Sequence, residues 1–116
     1  MILSLMEQYQ QLDGIFQALA DPTRRAVIGR LGAGPASVGD LAAPFEMALP
    51  SFMKHIHMLE EVGLIRTSKS GRVRTCTIET TRLAAVDDWL KAQRLIWERR
   101  TNRLEQFVTE DKDTKK

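Results

Sequence analysis

The sequence predicts a mainly α fold with one small β-hairpin. Three observations carry that expectation. Apolar residues recur at helical spacing over most of the chain, the stretch from Leu64 to Glu79 turns to extended runs rich in Thr, Ile and Val, and caps with Gly and Pro breaks cut the helical part into segments. A chain of 116 residues, 43% hydrophobic and 28% charged, holds a single core of ordinary globular composition.

Between Tyr9 and Ala20, Leu12, Ile15, Phe16 and Leu19 fall at i, i+3, i+4 and i+7 and predict a first amphipathic helix. Asp21-Pro22 restarts the count, because Asp is a good N-cap and Pro suits the first helical position, where its missing N–H would have no partner. Val27, Ile28 and Leu31 are the expected buried face of this second helix, which ends at Gly32-Ala33-Gly34-Pro35. Ser37, with Asp40 three residues later, opens a very short third helix that Pro44 closes. From Leu49 to Val62 a longer helix is expected to bury Leu49, Phe52, Ile56 and Leu59. Its opposite face carries Pro50, Ser51, Lys54, His57, Met58 and Glu61, with Met53 and His55 on the flanks. Gly63 is its natural stop.

Leu64 to Lys69 and Arg72 to Glu79 then form the hairpin, joined through Ser70-Gly71, with Arg72 and Arg74 expected on the face shared by Cys76 and Ile78. A final helix starts near Thr81 and is expected to reach Val108, with Leu83, Leu90, Trp97 and Leu104 seven apart and Val86 and Phe107 beside them. Roughly 26 residues of helix span about 39 Å, longer than a core of short helices covers, so the far end should pack on a second copy of the chain. One domain is thus expected over residues 1–108, followed by a solvated tail over 109–116.

Charge narrows the function class. The formal net charge is only +2, but residues 1 to 23 contain no Lys or Arg, whereas 62 to 78 carry Arg66, Lys69, Arg72 and Arg74 with no acid before Glu79. No run approaches the ~18 apolar residues of a membrane span, and no basic residue precedes Arg24 as a secretory leader requires, so a cytoplasmic protein is expected. Cys76 stands alone and is expected to pack as a small apolar residue. Ser51 and His55 are one helical turn apart, but no acid nearby orients the histidine as a base. With no carboxylate pair, metal-ligand spacing, phosphate loop or triad order, neither an enzyme, a metal site nor a cofactor is expected.

The order of elements, short helices followed by a hairpin with a basic tip, is that of a winged helix-turn-helix, whose second helix enters the major groove of double-stranded DNA. On that helix Pro50, Ser51, Met53, Lys54, His55 and His57 are the candidate DNA contacts, Met53 through a thymine methyl. On the wing Lys69, Arg72 and Arg74 are candidates for the phosphate backbone or the adjacent minor groove.

Across roughly residues 12 to 108 the chain resembles the ArsR-type winged-helix transcriptional repressors. Asp21-Pro22-Thr23-Arg24-Arg25 is similar to the opening of that family's second helix. Leu49-Pro50-Ser51-Phe52-Met53-Lys54-His55-Ile56 and Leu59-Glu60-Glu61-Val62-Gly63-Leu64-Ile65 are similar to its recognition helix and entry to the wing. Gly71-Arg72-Val73-Arg74-Thr75-Cys76 and Trp89-Leu90 resemble a subgroup without evident metal sensing. The resemblance implies a homodimer paired through the first and last helices, which puts Leu12, Phe16, Leu90, Trp97, Leu104 and Phe107 at the interface. It also implies repression at a palindromic operator, with Ser51, Lys54 and His55 facing DNA. Metal-sensing relatives carry a cysteine pair where this chain has Val38, Gly39 and Asp40, or ligands on a last helix that here lacks His. Ala48 stands where relatives often carry a capping Ser, a change of about 1 kcal/mol at the start of the recognition helix. A winged-helix module that docks on a protein instead of DNA is the competing class, and the basic hairpin argues against it.

Overall fold

The computed structural model describes the backbone of residues 2–114 and the side chains of residue 7 and residues 10–105. It forms two compact units, residues 1–84 and 85–116. The first contains α1 (Ile2–Leu19), α2 (Pro22–Leu31), β1 (Ala36–Ser37), α3 (Val38–Ala42), α4 (Leu49–Glu61), β2 (Ile65–Ser70), β3 (Val73–Ile78) and the opening of α5 (Thr81–Thr114). The second is the remainder of α5.

The caps form where sequence chemistry puts them. The Asp21 carboxylate accepts the Arg24 amide at 3.0 Å and starts α2, and Ser37 Oγ accepts the Asp40 amide at 3.1 Å and starts α3. α4 opens at Ala48 without a side-chain cap, and Pro50 in its first turn removes one N–H that would otherwise lack a partner. Its far end is closed by backbone alone. Gly63 takes φ +79°, its amide donates to Glu60 O at 3.0 Å, and the Leu64 amide donates to Leu59 O at 3.0 Å. That is a Schellman closure, sealed by Leu59 and Leu64, both fully buried.

The core of the first unit gathers Ile15 from α1, Val27 and Leu31 from α2, Phe52, Ile56 and Leu59 from α4, Leu64 from the turn that follows, and Ile65 and Cys76 from the sheet. Phe45, in the connection before α4, stacks on Phe52 with ring centroids 5.7 Å apart. Ile28 is only half-buried and Leu49 is 56% exposed, so neither belongs to the core assigned to it by periodicity. Leu49 is the first residue of α4, and there the apolar stripe runs past the elements that cover Phe52 and Ile56.

The hairpin is part of a three-stranded antiparallel sheet of order β1-β3-β2. β1 pairs Ala36 with Cys76 and Ser37 with Thr75; two residues after Pro35, the second of them the cap of α3, leave no periodic signal in sequence. The hairpin turn is also one step later than its sequence suggests. Ser70 pairs with Val73, Gly71 has φ +63° and no non-Gly residue has positive φ, so Gly71-Arg72 is a two-residue turn of the type II′ pattern. Arg72 therefore sits in the turn and not on the strand face with Cys76; Arg74 and Cys76 do share that face. At the exit of β3, Thr81 Oγ1 donates to Glu79 at 2.9 Å and Arg66 Nε lies 3.1 Å from the other Glu79 oxygen, which fixes the start of α5.

In the second unit α5 exposes Leu90, Leu95, Ile96, Trp97 and Leu104, with Trp97 69% and Leu104 67% accessible. No helix of the described residues is long and apolar enough to cross a membrane.

Candidate nucleic-acid interface

The outward face of α4 is built by what the inward face does. Phe52, Ile56 and Leu59 are sunk completely in the core, so at 100° per residue Pro50, Ser51, Lys54 and His57 are left exposed. Met53 and His55 lie at the margins and are half-buried. Lys54 makes no ion pair among the described residues, which leaves its ammonium available to an external anion.

His55 has internal partners that periodicity did not suggest. Its side chain is 22% exposed, and Nδ1 lies 3.1 Å from Arg24 Nη1 and 3.8 Å from Asp21 Oδ2. The same guanidinium donates through Nε to Ala18 O at 2.6 Å and through Nη2 to Gln17 O at 3.1 Å. Arg25 reaches Leu19 O at 2.8 Å. Two neighbouring arginines thus satisfy the last carbonyls of α1, where cations are favoured by the helix dipole, and Arg24 goes on to touch α4. The sequence signal was the Asp21-to-Arg25 segment itself, but which carbonyls it would meet is a tertiary fact. The Asp21 carboxyl is held below its usual value chiefly by the Arg24 amide; partial burial opposes this, and the charge of Arg24 adds to the lowering.

On the wing, Lys69 and Arg72 are exposed at the tip. Arg74 is half-buried and donates to Thr67 Oγ1 at 3.1 Å, while Thr67 donates to Glu60 of α4. The network braces the wing against the recognition helix and engages Arg74 internally. Beneath it Cys76 is fully buried; burial pushes its thiol up, the Glu60 charge pushes the same way, and Arg74 opposes them. Between α4, the start of α3 and the wing lies a groove of ≈ 350 Å³, lined by Leu49 and Met53, by Ser37, Val38 and Gly39, and by Arg72, Val73 and Arg74.

The expected pairing residues are placed separately. Leu12 is half-buried and Phe16 is exposed on α1, whereas Leu90, Trp97 and Leu104 are exposed on α5 in the second unit. Phe107 lies outside the described side chains. Among the described residues no group of three or more His, Cys, Asp or Glu is placed to hold a metal ion.

The matches to known proteins follow this geometry. Residues 19–68, which run from the end of α1 through α4 into β2, match a helix-turn-helix domain family. Over 81 residues the chain is 37% identical to the HTH-type transcriptional regulator Rv2034 of Mycobacterium tuberculosis, covering 70% of this chain and 76% of that protein. It is 29% identical over 79 residues to the transcriptional repressor SdpR of Bacillus subtilis, covering 68% of this chain and 88% of that one. Among solved structures, an ArsR family transcriptional regulator shares 67% identity with a TM-score of 0.75 over 77% of this chain and 92% of its own. An ArsR-like regulator from Rhodococcus sp. RHA1 shares 27% identity with a TM-score of 0.71 over 85% and 93%. These are relatives that regulate transcription, not enzymes, and with its winged helix-turn-helix this chain belongs with them to the ArsR family of DNA-binding transcriptional regulators.

Proposed function

We propose that the protein is a cytoplasmic homodimeric repressor that binds a palindromic operator. The observation that carries the reading is the exposure of Pro50, Ser51, Lys54 and His57 on α4 beside a wing whose tip is basic. In this reading α4 enters the major groove, Ser51 and Lys54 meet base edges and phosphates near its N-terminal half, and Met53 reaches a thymine methyl. Lys69 and Arg72 meet the backbone at the neighbouring minor groove, and Arg74 contributes more to holding the wing than to the contact itself. The strand that separates those two grooves then lies in the channel between α4 and the wing, with its sugars against Leu49 and Val73.

Pairing through α5 is supported by Leu90, Trp97 and Leu104, which recur every seven residues and stay exposed in the single chain. The interface also takes Leu12 and Phe16 of α1. Repression is supported by the relative named as a repressor. The test is enrichment of random duplex DNA on the purified protein, followed by binding to the recovered sequence across a salt series. An inverted repeat whose half-sites are about 34–36 Å apart, bound with a steep negative salt slope, is the expected result. No duplex binding would replace this reading with a protein partner.

A further inference from the structure

We propose that Arg24 is a positioning residue for DNA recognition: its guanidinium fixes the His55 ring with Nδ1 as the acceptor, so that Nε2–H is the donor offered to DNA. The inference rests on the DNA-binding reading of α4 and deepens it at one side chain. A guanidinium has donors and no acceptor, so the 3.1 Å contact between Arg24 Nη1 and His55 Nδ1 is a hydrogen bond only if Nδ1 carries the lone pair. The proton of the neutral ring is then on Nε2. No group among the described residues bonds Nε2, and no buried side-chain nitrogen or oxygen among them lacks a partner, so Nε2 is open to solvent. Arg24 itself is not free to swing away, because Ala18 O and Gln17 O hold its other two nitrogens.

The arrangement gives the recognition helix a donor of fixed direction next to the exposed Lys54. Its ligand is a hydrogen-bond acceptor on the duplex, a phosphate oxygen or the N7 or O6 edge of a purine. Arg24 touches no DNA in this scheme; it acts through the ring.

The test uses the full chain and the duplex recovered by selection. His55→Gln places an amide N–H where Nε2–H stood, whereas His55→Asn places its amide at the Nδ1 position. His55→Gln is expected to bind within about threefold of wild type, and His55→Asn to lose about tenfold, the scale of one hydrogen bond. A loss uniform across sequences identifies a phosphate, and a loss confined to one operator position identifies a base; either supports the proposal. The nitrogen-15 spectrum of the free protein should show the Nε2-protonated tautomer, which Arg24→Lys should convert to a mixture. Arg24→Lys should also weaken binding in the wild-type background and not in the His55→Gln background, a split that a purely structural role of Arg24 would not produce. Equal loss in His55→Gln and His55→Asn, or a ring protonated on Nδ1, overturns the proposal while leaving DNA binding intact. Absence of binding by the wild-type chain overturns both.

Discussion

The carboxylate of Asp21 accepts the amide of Arg24 at 3.0 Å, and the guanidinium of that same Arg24 seals the end of the preceding helix. One residue therefore serves as the first turn of α2 and as the C-terminal cap of α1. Asp21→Ala is expected to destabilise the protein by about 1 kcal/mol in urea denaturation. The pH dependence follows from the lowered carboxyl. Because the folded value lies below the ordinary 3.8, the stabilisation is complete above that pH and is lost as pH falls through the folded value. Between pH ~5 and ~2, wild type should lose more stability than Asp21→Ala.

Gly63→Ala is expected to cost about 1–2 kcal/mol, measured by thermal or urea unfolding. An added Cβ would sit 2.7 Å from Arg82 Nε, and that clash can relax because the arginine side chain is flexible. The φ of +79° cannot relax without opening the Schellman closure of α4.

Arg72→Ala should lower DNA affinity at every sequence and reduce the magnitude of the salt slope by about 1. Arg74→Ala should behave differently: it removes the donor to Thr67, whose hydroxyl in turn donates to Glu60, so a drop in melting temperature should accompany any loss of affinity. A salt titration and a thermal melt on both variants separate the two roles. An unchanged slope for Arg72→Ala would remove it from the interface.

Trp97→Ala should weaken self-association by about 3–5 kcal/mol if the partner chain fully covers the indole. Sedimentation equilibrium checks this, and an unchanged dimer constant would take Trp97 out of the pairing surface.

The Cys76 thiol should resist a thiol-specific reagent in the folded protein and react fully in denaturant, because burial removes access and burial with the Glu60 charge disfavours the thiolate. Labelling at the rate of a free cysteine under native conditions would contradict the core placement.

The sequence was most legible where chemistry is local. Asp21-Pro22, Ser37 and Gly63 are helix signals that act within a few residues, and each does in the structure what its residue type implies. The wing and the exposed polar face of α4 were legible because alternation and the 100° step are also local rules. What was not legible depends on partners distant in the chain. Leu49 has the period of a core residue, yet burial is decided by what lies opposite, and it stays 56% exposed. The 100° step puts His55 on the flank of α4, but that its partner is Arg24, 31 residues away, is a tertiary fact. The turn was misplaced by one residue because Ser70 and Gly71 are both turn formers, and only the strand register shows that the glycine is needed first.

The two-residue strand β1 has a kinetic meaning as well. Joining Ala36 to Cys76 closes a loop that contains α3, α4 and most of the hairpin, so the ordering entropy of that loop must be met before its few hydrogen bonds return anything. β1 is thus expected to be the last element to gain amide protection during refolding and the first to lose it. The cap of α3 would then loosen while the recognition helix is still intact.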